Sequence, residues 1–175
     1  VLRHVIEEAV AFMRLEIENR DIQVEVVFPE SLPRVLGDAD QLKQAFYNLI
    51  KNAVQAMDDG GCLHIICDTR TDFLDVRFVD DGVGISAGKM PQIVQPYFTT
   101  KPGGTGLGLL IVERIVRGHG GELGIESEEG KGAVFTISLP LRERQVRLLE
   151  SGAQSPRAGA GGLPPRAECS DGRLD

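Results

Sequence analysis

The chain has 175 residues, 42% hydrophobic and 26% charged, which is enough for one ordinary globular core that needs no disulfides to hold it. Its net charge of −7 excludes a general phosphate-backbone binder, which needs a basic face, and no run approaches the roughly 20 apolar residues of a membrane span. The 21 glycines, about 12% of the chain against a usual ~7%, call for an explanation.

Leu2, Val5, Ile6, Ala9, Phe12, Met13 and Ile17 recur at helical spacing and predict a first amphipathic helix. Ile22, Val24, Val26 and Phe28 alternate with Gln23 and Glu25, predicting a strand that ends before Ser31 and Pro33. Residues 34–37 read as a short extended piece, and Asp38 or Asp40 can cap the next helix. That helix is expected over 41–57, stopped by the turn cluster Asp58-Asp59-Gly60-Gly61. Two strands are expected over 62–69 and 73–79. Cys62 and Cys67, five apart, then fall on opposite strand faces and suit neither a mutual disulfide nor a metal clip. A helix over 107–117 stops at Gly118-His119-Gly120-Gly121, which leaves His119 as a surface neighbour of the helix end. Strands over 123–127 and 133–139 flank a last turn. Three hairpin-like strand pairs with helices between them predict an antiparallel-rich sheet covered by helices on one face.

Composition shifts after Pro140. Over residues 151–175, 11 of 25 are Gly, Pro or Ser, a stretch that cannot bury enough apolar surface to offset its ordering entropy. A folded unit over 1–140 and a disordered tail over 141–175 are therefore expected. The folded part is the more acidic, with 13 Lys and Arg against 21 Asp and Glu. Only five of the glycines lie in the tail, so the excess belongs to the fold.

Three segments carry chemistry. On the helix over 41–57, Leu42, Phe46, Leu49, Ile50, Ala53 and Met57 share an arc, and Asn48 and Asn52 sit beside it, four apart. Such a pair presents carbonyl oxygens suited to Mg²⁺ shared with phosphate, or else makes a solvated amide stripe. Next, Asp80 continues the apolar parity of Leu74, Val76 and Phe78 into the turn Asp80-Asp81-Gly82-Val83-Gly84-Ile85. A carboxylate there needs a hydrogen-bonding partner, which an adenine amino group would supply, and the glycines let a ring approach the backbone. Asp81 reads as an exposed turn acid. Third, Lys101 and the glycines of Gly103-Gly104-Thr105-Gly106-Leu107-Gly108 run into a helix start. The spacing matches neither a Walker loop nor a dinucleotide turn. Its exposed N–H groups and helix dipole suit triphosphate oxygens, though a plain flexible loop has the same composition.

Taken in order, these segments resemble the nucleotide-binding boxes of the GHKL superfamily, and most closely the catalytic domain of bacterial sensor histidine kinases. The boxes read QLKQAFYNLIKNAVQAM, DDGVGI, PYFTTK and GGTGLGLLIVERIVRGHGGELGIESEEGKGAVFTISLP. The resemblance spans about residues 1–140, and NAVQAM and PYFTTK look most like the nitrogen-regulator and PAS-linked kinases. It implies an α+β fold: a two-layer sandwich of the Bergerat type, with a mixed, mostly antiparallel sheet of about five strands and helices on one face. It implies that Asn52 ligates Mg²⁺ with Asn48 near the phosphates, and that Asp80 bonds adenine, with Gly82, Gly84 and Ile85 shaping the base pocket. Lys101 would approach the γ-phosphate, and Gly104, Thr105, Gly106, Leu107 and Gly108 would wrap the phosphates. Thr136 would read the base through a water, and the segment between Ile85 and Gly104 would form a mobile lid.

The function so implied is ATP-Mg binding and donation of the γ-phosphoryl group to a histidine on a separate dimerisation domain, in two-component signalling. A response regulator and a homodimeric parent, membrane-anchored or not, follow, with this segment cytoplasmic and binding no nucleic acid. A serine kinase of the anti-sigma type and a non-catalytic nucleotide sensor are the alternatives. Ala56 and Met57 stand where many relatives carry an aromatic to stack on adenine, and Gly132-Ala133 replaces the common Gly-Thr. His4, His64 and His119 do not fit the family's acceptor pattern, so the chain, which starts at Val1, reads as a segment of a longer sensor.

Overall fold

A computed structural model of the chain describes residues 2–97 and 106–141. The elements are α1 (Leu2–Phe12), α2 (Arg14–Asn19), β1 (Gln23–Val27), α3 (Ala39–Ala56), β2 (Cys62–Thr69), β3 (Phe73–Asp80), a 3-10 turn (Met90–Gln92), α4 (Gly108–Gly118), β4 (Glu122–Ser127) and β5 (Ala133–Pro140). The expected tail beyond Leu141 lies outside the described residues.

The first helix departs from expectation. It breaks at Met13, whose φ of −95° and ψ of 2° leave the helical region. Leu2, Val5, Ile6 and Ala9 keep one buried face, and Met13 and Ile17 extend it past the break. Phe12 drops out of that face and is 78% exposed, its ring meeting Tyr47 edge-on at 5.2 Å. For α3 the cap is Asp38, whose Oδ1 accepts the N–H groups of Asp40 at 2.9 Å and Gln41 at 3.1 Å. At the other end, the Arg20 guanidinium donates to the carbonyls of Val54 and Met57, which have no partner further along the helix.

The five strands lie in the order β1-β2-β3-β5-β4. β2–β3, β3–β5 and β4–β5 are antiparallel, whereas β1 and β2 are parallel. Only two of the three expected hairpin-like pairs therefore form. Residues 34–37 hold no strand, and the chain crosses from β1 to β2 through α3, as a parallel pair requires.

Register sets the sheet's two faces. Val24, Leu63, Ile65, Cys67, Leu74, Val76, Phe78, Asp80, Ala133, Phe135, Ile137 and Leu139 share parity across paired strands. The apolar members of this set join Leu42, Phe46, Leu49, Ile50, Ala53 and Val54 of α3 in one core, with α3 packed between α1 and α4. Phe46 and Phe78 meet at its centre, ring centroids 5.8 Å apart. Each contributes roughly 1.5–3 kcal/mol by burial. Cys67 is a free, buried thiol, and burial pushes its pKa up to about 11. Asp80 is the one polar member of this set, buried with it, and it leads to the site. No described helix is long and apolar enough to cross a membrane.

Candidate functional site

β3 delivers Asp80 to the end of the sheet, opposite Leu63 on β2 and Ala133 on β5, with only 5% of its surface exposed. The turn that follows folds back at once: the Gly82 N–H donates to Asp80 Oδ1 at 3.0 Å. A Cβ on Gly82 would stand 2.5 Å from the Ala56 carbonyl oxygen, so only glycine lets the turn seat against the end of α3. The Val83 N–H donates to that same carbonyl at 2.9 Å. Asp81 is not the exposed turn acid expected of it. Its Oδ1 accepts the Cys62 N–H at 2.9 Å, satisfying the start of β2.

On its other side the turn is held by the β4–β5 connection. Gly84 has φ of +67°, and a side chain there would overlap the Glu128 carbonyl. The Gly130 N–H donates to Val83 O at 2.8 Å, and the Ile85 N–H donates to Ser127 Oγ at 2.8 Å. The Ser127 hydroxyl in turn donates to Gly132 O at 2.7 Å.

One turn before Ala56 on α3 lies Asn52, and one turn further back Asn48. The Asn48 Nδ2 donates to Gln44 O at 2.8 Å, which fixes the amide so that Oδ1 points toward α4. A Cβ on Gly108, the first residue of α4, would stand 3.2 Å from Asn48 Oδ1 and 4.0 Å from Asn52 Oδ1. Glycine thus lets the start of α4 approach both amide oxygens. Leu107 caps α4 with no side-chain bond, and Gly106, at φ of +64°, accepts the Tyr97 N–H at 3.1 Å.

The structure therefore brings Gly108, and with it Leu107 and Gly106 just before it, up to Asn48 and Asn52 in the second half of α3. It seats the turn after Asp80 against Ala56, the next turn along, through Gly82 and Val83, and against the β4–β5 connection through Gly84 and Ile85. Thr136 does not join them. It pairs with Arg77 and Gly124, one step out of phase with Phe135, so its side chain is on the sheet face opposite Asp80. Lys101, Gly104 and Thr105 lie outside the described residues, as does the part of the expected lid beyond Tyr97. Met57 is buried in the core.

Among the described residues, no group of three His, Cys, Asp or Glu could hold a metal ion. The donor set that fits one is the amide pair. Neutral oxygens of Asn48 and Asn52 suit a hard cation whose other ligands come from phosphate and water.

Three contributors escaped the sequence reading: Asp81, Ser127 and His119. His119 is not a mere surface neighbour. Its Nε2 accepts the Asp38 N–H at 3.0 Å and its Nδ1–H donates to Ile115 O at 2.7 Å. A Cβ on Gly37 would stand 2.5 Å from the ring. The imidazole thus clasps the start of α3 to the end of α4, the two helices whose opposite ends frame the amide pair.

The model of the histidine kinase-, DNA gyrase B- and HSP90-like ATPases matches residues 37–143, a span that takes in all of these elements from α3 onward. The chain belongs to that ATPase family. Within it, the chain is similar to sporulation kinase E of Bacillus subtilis, at 34% identity over 140 residues covering 79% of this chain and 19% of that protein. It is also similar to the sensor histidine kinase ZraS of Salmonella typhimurium, at 39% over 145 residues covering 82% of this chain and 31% of that one. The chain thus spans about a fifth of the one and just under a third of the other. Among solved structures, the catalytic domain of histidine kinase ThkA superposes with a TM-score of 0.72 at 31% identity, covering 79% of this chain and 91% of that one. Full-length ShkA in complex with AMPPNP gives 0.72 at 25% identity, covering 80% of this chain and 30% of that one. The five-stranded mixed sheet with helices on one face is the fold of these histidine kinase ATPase domains.

Proposed function

We propose that this ATPase domain binds ATP with Mg²⁺ and donates the γ-phosphoryl group to a histidine on a separate helical dimerisation domain of the same protein, which passes it to a response regulator. The observation that carries the reading is the convergence of Asn48 Oδ1 and Asn52 Oδ1 on Gly108, one and two helical turns from Ala56, on which Gly82 seats the turn after Asp80. A nucleotide laid along this end of α3 meets a carboxylate at its base and amide oxygens at its phosphates.

Phosphoryl transfer asks a protein chiefly for positioning and charge neutralisation. Asp80 accepts the adenine amino group, and Gly82 and Gly84 shape the base pocket by seating the turn against the Ala56 and Glu128 carbonyls. Asn52, with Asn48 beside it, would hold Mg²⁺, which would supply positive charge at the phosphate oxygens. Lys101 is assigned the γ-phosphate, and the glycines from Gly104 to Gly108 offer backbone N–H groups to the rest. Residues 1–140 form the ATP-binding unit in this reading. The relatives' names and the AMPPNP complex of ShkA support it.

The test is phosphoryl transfer from γ-labelled ATP. The chain alone should label itself poorly. With the parent protein's histidine-bearing domain added, label should appear there as acid-labile, base-stable phosphate. Acid-stable label on a serine would contradict the proposal, and so would robust histidine labelling of the chain by itself.

A further inference from the structure

We propose that Ser127 is a positioning residue that sets selectivity for adenine through its hold on Ile85 and Gly132; this rests on the reading of Asp80 as the group that bonds the base. Ser127 ends β4 and pairs with Ala133 on β5, which pairs with Asp80 on β3. These three residues form one rung across three strands, so their side chains share the helix-facing side. Ala133 offers only a methyl group, and Ser127 supplies the hydroxyl of that rung.

Its single proton is committed to Gly132 O at 2.7 Å, and its lone pair receives the Ile85 N–H at 2.8 Å. One hydroxyl therefore joins the exit of the turn after Asp80 to the entry of β5. Gly132 is pressed against the Asp80 backbone, where its φ of +85° admits glycine and a side chain would overlap the Asp80 carbonyl. Ser127 thus fixes, from one atom, both backbone segments that flank the Asp80 carboxylate. The phosphate end of the site stands on other elements, α3 and the start of α4, which Ser127 does not bond.

That separation gives the inference a distinctive signature. Ser127→Ala leaves the Ile85 N–H and the Gly132 carbonyl without their shared partner in a partly buried place. The base end loosens while the phosphate end keeps its geometry. Ser127→Thr retains the hydroxyl.

Calorimetric titration of the 175-residue chain with Mg²⁺ complexes of ATP, GTP and inorganic tripolyphosphate tests this. In Ser127→Ala, ATP should bind about ten-fold more weakly, the loss expected for unsatisfied buried groups, with tripolyphosphate unchanged within about two-fold. The preference for ATP over GTP should shrink, and Ser127→Thr should restore it. An unchanged ATP affinity and preference in Ser127→Ala would overturn the proposal, as would equal losses for ATP and tripolyphosphate. If the wild-type chain bound none of the three ligands, the nucleotide reading itself would fall and this inference with it.

Discussion

Gly82 donates its backbone N–H to the Asp80 carboxylate at 3.0 Å while its Cα lies against the last turn of α3. The two contacts fix the carboxylate relative to the helix that carries both asparagines. A methyl group added at Gly82 would meet the Ala56 carbonyl at 2.5 Å, and backbone cannot rotate aside as a side-chain tip can. Gly82→Ala should therefore destabilise the fold by about 1–3 kcal/mol, the range for overpacked sites, and weaken ATP binding as well. Urea denaturation would show a lower midpoint at an unchanged slope. A wild-type midpoint would mean that the turn is not seated on α3 as described.

Much of this arrangement is legible in the sequence. The apolar arc of α3 and the alternation of Leu74, Val76 and Phe78 in β3 are strong periodic signals, because each places its large apolar side chains on one face against the other layer. What escaped was set by pairing between distant segments. Helical spacing runs through Met13 unbroken, so the break that turns Phe12 toward Tyr47 leaves no local mark. The parallel β1–β2 pair depends on a crossover, whereas adjacency in sequence favours hairpins. Asp81, Ser127 and His119 act through backbone groups 19, 42 and 81 positions away, which periodicity cannot reveal. Thr136 is different, since the alternation of Phe135, Ile137 and Leu139 already places it on the far face.

The His119 clasp predicts a stability effect at the start of α3. Asp38 is held below the usual carboxylate range mainly by the Gln41 N–H, then by that of Asp40, with His119 contributing. A depressed native pKa means that the cap stabilises fully above the unfolded value of about 4 and fades as pH falls through the native value. Asp38→Ala should lower the melting temperature by a few degrees at pH 7, and the gap from wild type should close in acid. A gap that widened below pH 4 would contradict the capping account.

Cys67 offers a chemical check on the core. With its pKa pushed up to about 11 by burial, the thiol presents almost no thiolate at pH 8. Iodoacetamide should leave Cys67 unlabelled in the native chain and label it quickly in denaturant, as peptide mapping would read. Rapid native labelling would place β2 differently from the structure.

Asn52→Ala removes one of the two amide oxygens facing Gly108. It should abolish the gain in nucleotide affinity that Mg²⁺ confers and leave Mg²⁺-free binding largely intact. Calorimetry with and without the metal separates the two. An undiminished Mg²⁺ effect would move the cation away from this pair.

The most direct test of the central claim is ATP binding by the wild-type chain and by Asp80→Asn, with circular dichroism as the control for folding. The substitution keeps the shape of the side chain but replaces an acceptor oxygen by a donor, facing the adenine amino group. Measurable ATP-Mg affinity is expected in the wild type and a loss of about ten-fold or more in the natively folded variant, as for a lost hydrogen bond to a charged group. Unchanged ATP affinity in a natively folded Asp80→Asn variant would contradict that claim.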